Sequence, residues 1–332
     1  MSLVSLPAHL RTDILKHLPD AHSLTAARAA HPALHYAFNE HTQDIMESVI
    51  RNQIPQELLP FAQAAHDARC KPYSFLHATA TLDDLYFHNL PTAPPTLHSR
   101  EFGALSMPKL IAMGKMHNVV SYFTDRIADM MLDSAVELGL LPRPGGAESL
   151  SATERFVIQR ALYRYEVFVG LFFGDGKGVG AISQRRDQTK MITRVSFLGH
   201  FAPWVNEQLA SVYDCLEQIL SEPFREVAEH DVGWGAQRVD WELQGRNNCW
   251  LQGLLSYGLE FMYKLDLADG YDAQQAILTA KIVPHTSRML SKYLAAGASL
   301  PNDFLPAFGL FLSQWSEEQF AEQFAPQVLR CG

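Results

Sequence analysis

A mostly α-helical fold is predicted by three features of this sequence. Apolar residues recur at three- and four-residue spacing along much of the chain. Strand-like alternation is confined to the ambiguous run Met191 to Leu198. Proline, glycine and capping residues punctuate the apolar stripes where helices would start and stop. The 332 residues are 47% hydrophobic and 19% charged, enough apolar content for a sizeable core without a disulfide or metal staple. The expected architecture is a small N-terminal three-helix unit, residues 1–50, packed on or linked to a larger, irregular helical domain, residues 51–332.

Leu6, Leu10, Ile14, Leu15 and Leu18 stand at helical spacing, with Ser5 available as a cap and Pro7 tolerated in the first turn. Pro19-Asp20 stops this helix, because proline cannot donate to a continuing hydrogen-bond ladder. Ser23 is placed to cap a second helix that turns Leu24, Ala27 and Ala30 inward. His31-Pro32 restarts the chain, and Leu34, Phe38, Ile45 and Val49 read as the stripe of a third helix.

Asn89 to Thr96 is a loop by composition, and a second loop near 141–150 ends a helical stretch from about Pro108 to Leu140. Ser151 with Glu154 forms a capping box, in which each side chain satisfies an orphan N–H near the other. Ile158, Leu162, Tyr165, Val169 and Phe172 follow it, and both faces are partly apolar, the pattern of a central buried helix. Leu209, Val212, Leu216 and Ile219 repeat the pattern after Pro203-Trp204. Trp250, Leu254, Phe261 and Leu265 do so again, and Ser316 with Gln319 opens a last helix.

The charge balance narrows the partners. Lys and Arg number 27 against 36 Asp and Glu, a formal net charge of -9, which opposes nucleic-acid binding by phosphate neutralisation. The same balance opposes docking on an anionic membrane, and no apolar run approaches the ~20 residues of a spanning helix. Cys70, Cys215, Cys249 and Cys331 are far apart, with no C-x-x-C pair. They read as free buried thiols in a reducing compartment, cytosol or nucleus, with no cofactor expected. The first residues lack the basic start of a secretory signal.

Few motifs carry chemistry. The run Gly174 to Gly180 fails as a phosphate loop, since Leu171 and Gly178 occupy the positions that need a glycine and a hydroxyl. His31 and His35 are at ligand spacing, but Pro32 places His31 at a helix entry. Glu166 and Glu260 are candidates for paired carboxylates, or for pairing with an arginine such as Arg164. His230-Asp231, with His200 upstream and Asp266, Asp269 and Asp272 downstream, is similar in order to the HD phosphohydrolases. That resemblance implies a divalent metal on His200, His230 and Asp231 that activates water against a phosphoester. The alternative is that His230 simply ends the helix carrying Phe224 and Val227, as a cation near its negative end.

Leu6-Pro7-Ala8-His9-Leu10, Ile14-Leu15, Leu18-Pro19-Asp20, Ser23-Leu24 and Ala27 together resemble the F-box, over roughly residues 4 to 45. The tryptophan usual in that family is replaced by His31-Pro32-Ala33-Leu34. The remainder looks like the F-box-like proteins of filamentous fungi, through Ala161 to Tyr165, Pro203 to Leu209 and His230 to Gly235. The resemblance implies a non-catalytic adaptor whose N-terminal helices dock on the Skp-type protein of a cullin ubiquitin ligase while the larger domain selects a client protein. Leu6, Pro7, Leu10, Ile14, Leu15, Leu18 and Leu24 would supply the docking face. An F-box-like scaffold without a ubiquitin role is the other reading of the same helices. The resemblance also offers His-Asp-Val-Gly-Trp as a fold signature in place of a metal site.

Overall fold

The computed structural model describes residues 6–71, 74–88, 105–139, 150–173, 194, 197–199, 201–236 and 248–281. Among these residues 85% are helical and there is no strand. The mostly α architecture follows directly.

Proline and short polar caps set the N-terminal elements. Helix α1, Ala8–Lys16, begins immediately after Pro7, which has no side-chain cap bond. Helix α2, Ala21–Ala30, is capped by Asp20 and not by Ser23: the Asp20 carboxylate accepts the Ser23 N–H at 2.7 Å. The third expected helix is two helices, α3 over Pro32–Glu40 and α4 over Thr42–Gln53. His41, at φ -130° and ψ 37°, breaks the ladder between them. Phe38 and Ile45 are seven residues apart, so an unbroken helix would carry the same stripe and periodicity cannot register the break. The N-terminal unit therefore has four helices. His31 caps α3 by accepting the Ala33 N–H at 3.0 Å, as its place before Pro32 suggested.

A 3₁₀ turn, Gln56–Leu58, leads into α5, Leu59–Cys70, and α6, Phe75–His88, follows. Helix α7, Met107–Glu137, is capped by Ser106, and α8, Ala152–Phe173, opens on the expected capping box. There Ser151 N–H donates to Glu154 at 2.8 Å and Glu154 N–H returns to the Ser151 hydroxyl at 3.2 Å. Helix α9, Pro203–His230, starts on a proline at its first position, where the missing N–H is no loss. The short α10, Val232–Ala236, precedes α11, Cys249–Leu255, α12, Leu259–Asp266, and α13, Tyr271–Thr279. Gly258, at φ +81°, separates α11 from α12 inside the one stripe read from Trp250 to Leu265. Of the ambiguous run at 191–198, Arg194 and Phe197–Leu198 are described and are helical.

Buried side chains form one contiguous core from Leu15 to Leu278, with α8 at its centre. Every residue from Ala161 to Phe172 is buried, so α8 is enclosed on all sides, as its two apolar faces predicted. Gly170 lets α5 cross closely: a Cβ there would lie 3.0 Å from the Ala68 Cβ and 3.1 Å from its carbonyl carbon. The N-terminal helices join this core through α7. The Gln53 amide donates to Gly114 O at 3.1 Å and Asn118 at 3.2 Å, and Gln43 donates to Leu105 O at 3.0 Å.

Enclosing α8 also encloses polar side chains, and these make hydrogen bonds with neighbouring elements. Arg164 donates to Val205 O at 2.7 Å and Asn206 Oδ1 at 2.6 Å, with its guanidinium 3.8 Å from the Phe201 ring centre. His117 shares a 3.0 Å hydrogen bond with the Tyr163 hydroxyl and stacks on that ring. Burial pushes the His117 imidazole down to about 4 from its ordinary 6.5. The folded chain thus stays unprotonated where the unfolded chain takes up a proton. Stability falls as pH drops from about 6.5 to about 4 and levels off below, a loss of roughly 3 kcal/mol from this group. His117→Gln keeps a hydrogen-bonding partner for Tyr163 and removes the titration. Urea midpoints across that window should fall less in H117Q than in the parent; an equal fall would assign the acid sensitivity to other groups.

Candidate partner-docking face

The apolar residues of α1 divide between two opposite sides of the helix. Thr12 and Leu15 point inward, where α3 and α4 pack. Leu10, Asp13, Ile14 and His17, spaced three and four apart, form the outward side. Leu10 is 40% exposed and Ile14 38%. Pro7 is exposed, and Leu6 and Leu18 are half-buried along the edge. Leu15 and Leu24, both 0% exposed, belong to the chain's own core. This corrects their assignment to the docking face: no partner reaches them while the helices stay packed. Apolar periodicity alone merges the two sides, because leucines on both share the three- and four-residue spacing.

The face is held firmly in place. The Asn52 side chain of α4 donates to Lys16 O at 2.8 Å and Leu18 O at 2.9 Å, satisfying carbonyls that the end of α1 leaves open. Lys16 and Asp44 add a 3.8 Å ion pair between the same helices. On the adjoining α3, Leu34, Ala37 and Phe38 are buried while Tyr36 is 69% exposed. Tyr36 was absent from the predicted face, although its position between inward Leu34 and Ala37 is the signal that turns it outward.

The described residues of the metal alternative do not gather into a site. His200 lies outside the described residues. His230 is the last residue of α9, exposed, with Nδ1 donating to Glu226 O at 2.8 Å. Asp231 accepts the Trp234 N–H at 3.0 Å on one oxygen, which starts α10, and the Gln275 amide of α13 on the other, so both of its oxygens are engaged. The Gln275 bond first, then the Trp234 N–H, holds its carboxyl below the ordinary range. Asp266 accepts the Tyr122 hydroxyl and pairs with Arg126 at 3.5 Å. Among the described residues no group of three His, Cys, Asp or Glu side chains converges as a metal site. Gly174 to Gly180 and Ser316 to Gln319 also lie outside the described residues.

Glu166 and Glu260 take different partners. Glu166 is buried, accepting the Arg69 Nε at 2.7 Å, the Arg69 Nη2 and the Leu259 N–H. Glu260 is exposed and pairs with Lys264 at 2.9 Å on its own helix. The arginine partner of Glu166 is thus Arg69, 97 residues away in sequence, and not Arg164. Of the four thiols, the two described ones differ from expectation: Cys70 is exposed and Cys215 half-buried. No helix among the described residues is long and apolar enough to cross a membrane. Comparison with protein-family models, curated proteins and solved structures gives no match.

Proposed function

We propose that the chain is a non-catalytic substrate adaptor of F-box type, docked by α1 on a Skp-type protein of a cullin ubiquitin ligase. The observation that carries this reading is the outward pair Leu10 and Ile14, one turn apart, on a helix whose other side is already packed. Two large apolar side chains held on a rigid helix are the form a protein–protein anchor takes, with most of the binding energy in a few desolvated groups. Pro7 and the half-buried Leu6 and Leu18 would extend the contact. The larger helical body around α8 would carry the client protein, in cytosol or nucleus. The net charge of -9 favours neither nucleic acid nor an anionic membrane as that client.

Co-expression with a Skp-type adaptor tests the reading. The wild type should co-purify with it. The double variant Leu10→Asp with Ile14→Asp should lose at least ~100-fold in affinity, since anchor residues are worth about 2 kcal/mol or more each. Its thermal melt should stay close to that of the wild type, because both side chains already face outward. Absence of association in the wild type, or equal association of the double variant, would refute the proposal. The first of those outcomes would leave the helices as a scaffold.

A further inference from the structure

The last turn of α5 brings a thiol, an imidazole and a carboxylate into one hydrogen-bonded line. Cys70 Sγ lies 3.5 Å from His66 Nε2, and His66 Nδ1 lies 3.2 Å from Asp67 Oδ1. The helix itself makes this geometry: positions 66 and 70 are one turn apart on one face, so the ring reaches the sulfur. Lys109 of α7 at 3.8 Å and Lys71 at 3.6 Å sit against the Asp67 carboxylate. Burial raises the Asp67 carboxyl, but the His66 hydrogen bond and the two ammonium groups outweigh it and hold it below its ordinary value. An ionised Asp67 only accepts a hydrogen bond, so Nδ1 carries the proton, which fixes the tautomer and leaves the Nε2 lone pair facing the thiol. Cys70 is exposed, whereas His66 and Asp67 are half-buried beneath it. The nucleophile is therefore open to solvent and its base is anchored.

We propose that Cys70 is a nucleophilic thiol that exchanges with small-molecule disulfides, His66 serving as its base and Asp67 as the residue that positions the ring. This is independent of the α1 docking face. In the step, the Cys70 S–H proton passes to His66 Nε2. The sulfur's electron pair then forms a bond to one sulfur of a low-molecular-weight disulfide, R–S–S–R. The original S–S bond breaks, and the departing R–S⁻ takes its electron pair and then the proton from the imidazolium. The product is a mixed disulfide on Cys70 plus one free thiol. The small disulfide is the only oxidant the step consumes.

Exchange of the full chain with glutathione disulfide near neutral pH, followed by mass spectrometry to locate the adduct, tests the assignment. One cysteine should react about tenfold faster than free glutathione thiol, the gain expected when a thiol that is a few per cent ionised acquires a base. The adduct should map to Cys70 and vanish in Cys70→Ser. His66→Gln should slow it by about the same factor, and Asp67→Asn by a few-fold, with far-ultraviolet circular dichroism unchanged. A Cys70 rate no higher than that of the free thiol refutes the proposal and needs no variant to read. So does equal reactivity in wild-type protein and folded His66→Gln.

Discussion

Replacing Glu166 by alanine should destabilise the fold by about 3–5 kcal/mol, the range for removing one partner of a buried ion pair. The carboxylate is fully enclosed and joins three helices: it sits on α8, receives Arg69 from α5, and receives the Leu259 N–H at the start of α12. Gly258 makes this convergence feasible. At φ +81° it turns the chain into α12, and a Cβ at that position would lie 2.7 Å from Glu166 Oε1 and closer still to the Arg69 guanidinium. Removing the carboxylate therefore leaves the half-buried guanidinium without its acceptor, orphans the first N–H of α12 and opens a cavity beside Gly258. Arg69→Met should cost a similar amount, because it leaves Glu166 charged with only the Leu259 N–H. The double variant Glu166→Leu with Arg69→Met should cost less than the two single changes added together, since neither charge is then stranded. Glu260→Ala, which removes an exposed pair on one helix, should cost about 1 kcal/mol or less. Urea unfolding of the set decides the matter. A cost below about 1 kcal/mol for Glu166→Ala would mean that solvent reaches the site and that the three-helix junction is not as enclosed as described.

What the sequence revealed depended on whether the signal was local. The capping box Ser151 to Glu154, the entry of α9 at Pro203 and the enclosure of α8 were all readable, because the residues that decide them are neighbours in the chain. The break at His41 was hidden, since α3 and α4 share one apolar phase across it. Asp20 took the cap assigned to Ser23 because either short polar side chain can accept a helix-end N–H, and only backbone geometry chooses between them. For the stripe on and around α1 the composition was right and the orientation was lost: of its five apolar residues Leu15 serves the core and Leu10 and Ile14 face out. The Glu166 partnership had no local signal at all, being set by where α5 and α12 land on α8. The Cys70 line is the opposite case. Its three residues fall within five positions of one helix, so the spacing was present in the sequence and only the exposure of the thiol needed the fold.

Trp234→Ala should be the costliest change in the segment His230 to Gly235, at about 3–5 kcal/mol. Trp234 is 1% exposed, packs on Phe224 of α9 with ring centres 5.6 Å apart, and donates its indole N–H to Thr279 of α13 at 3.1 Å. One side chain thus ties α9, α10 and α13 together. Asp231 prepares it by capping α10 through the Trp234 N–H, so Asp231→Ala should cost about 1 kcal/mol, the usual worth of such a cap. His230 is exposed at the helix end, and His230→Ala should change stability by no more than about 0.5 kcal/mol. The expected order, Trp234 far above Asp231 above His230, is that of a packing motif whose polar residues serve an indole. A metal centre would invert it: His230 and Asp231 would dominate, Trp234 would be secondary, and a chelator would lower the melting temperature of the wild type. Thermal melts of the three variants, with and without chelator, separate these orders, and a loss on His230→Ala that rivals Trp234→Ala would overturn the packing account of His-Asp-Val-Gly-Trp.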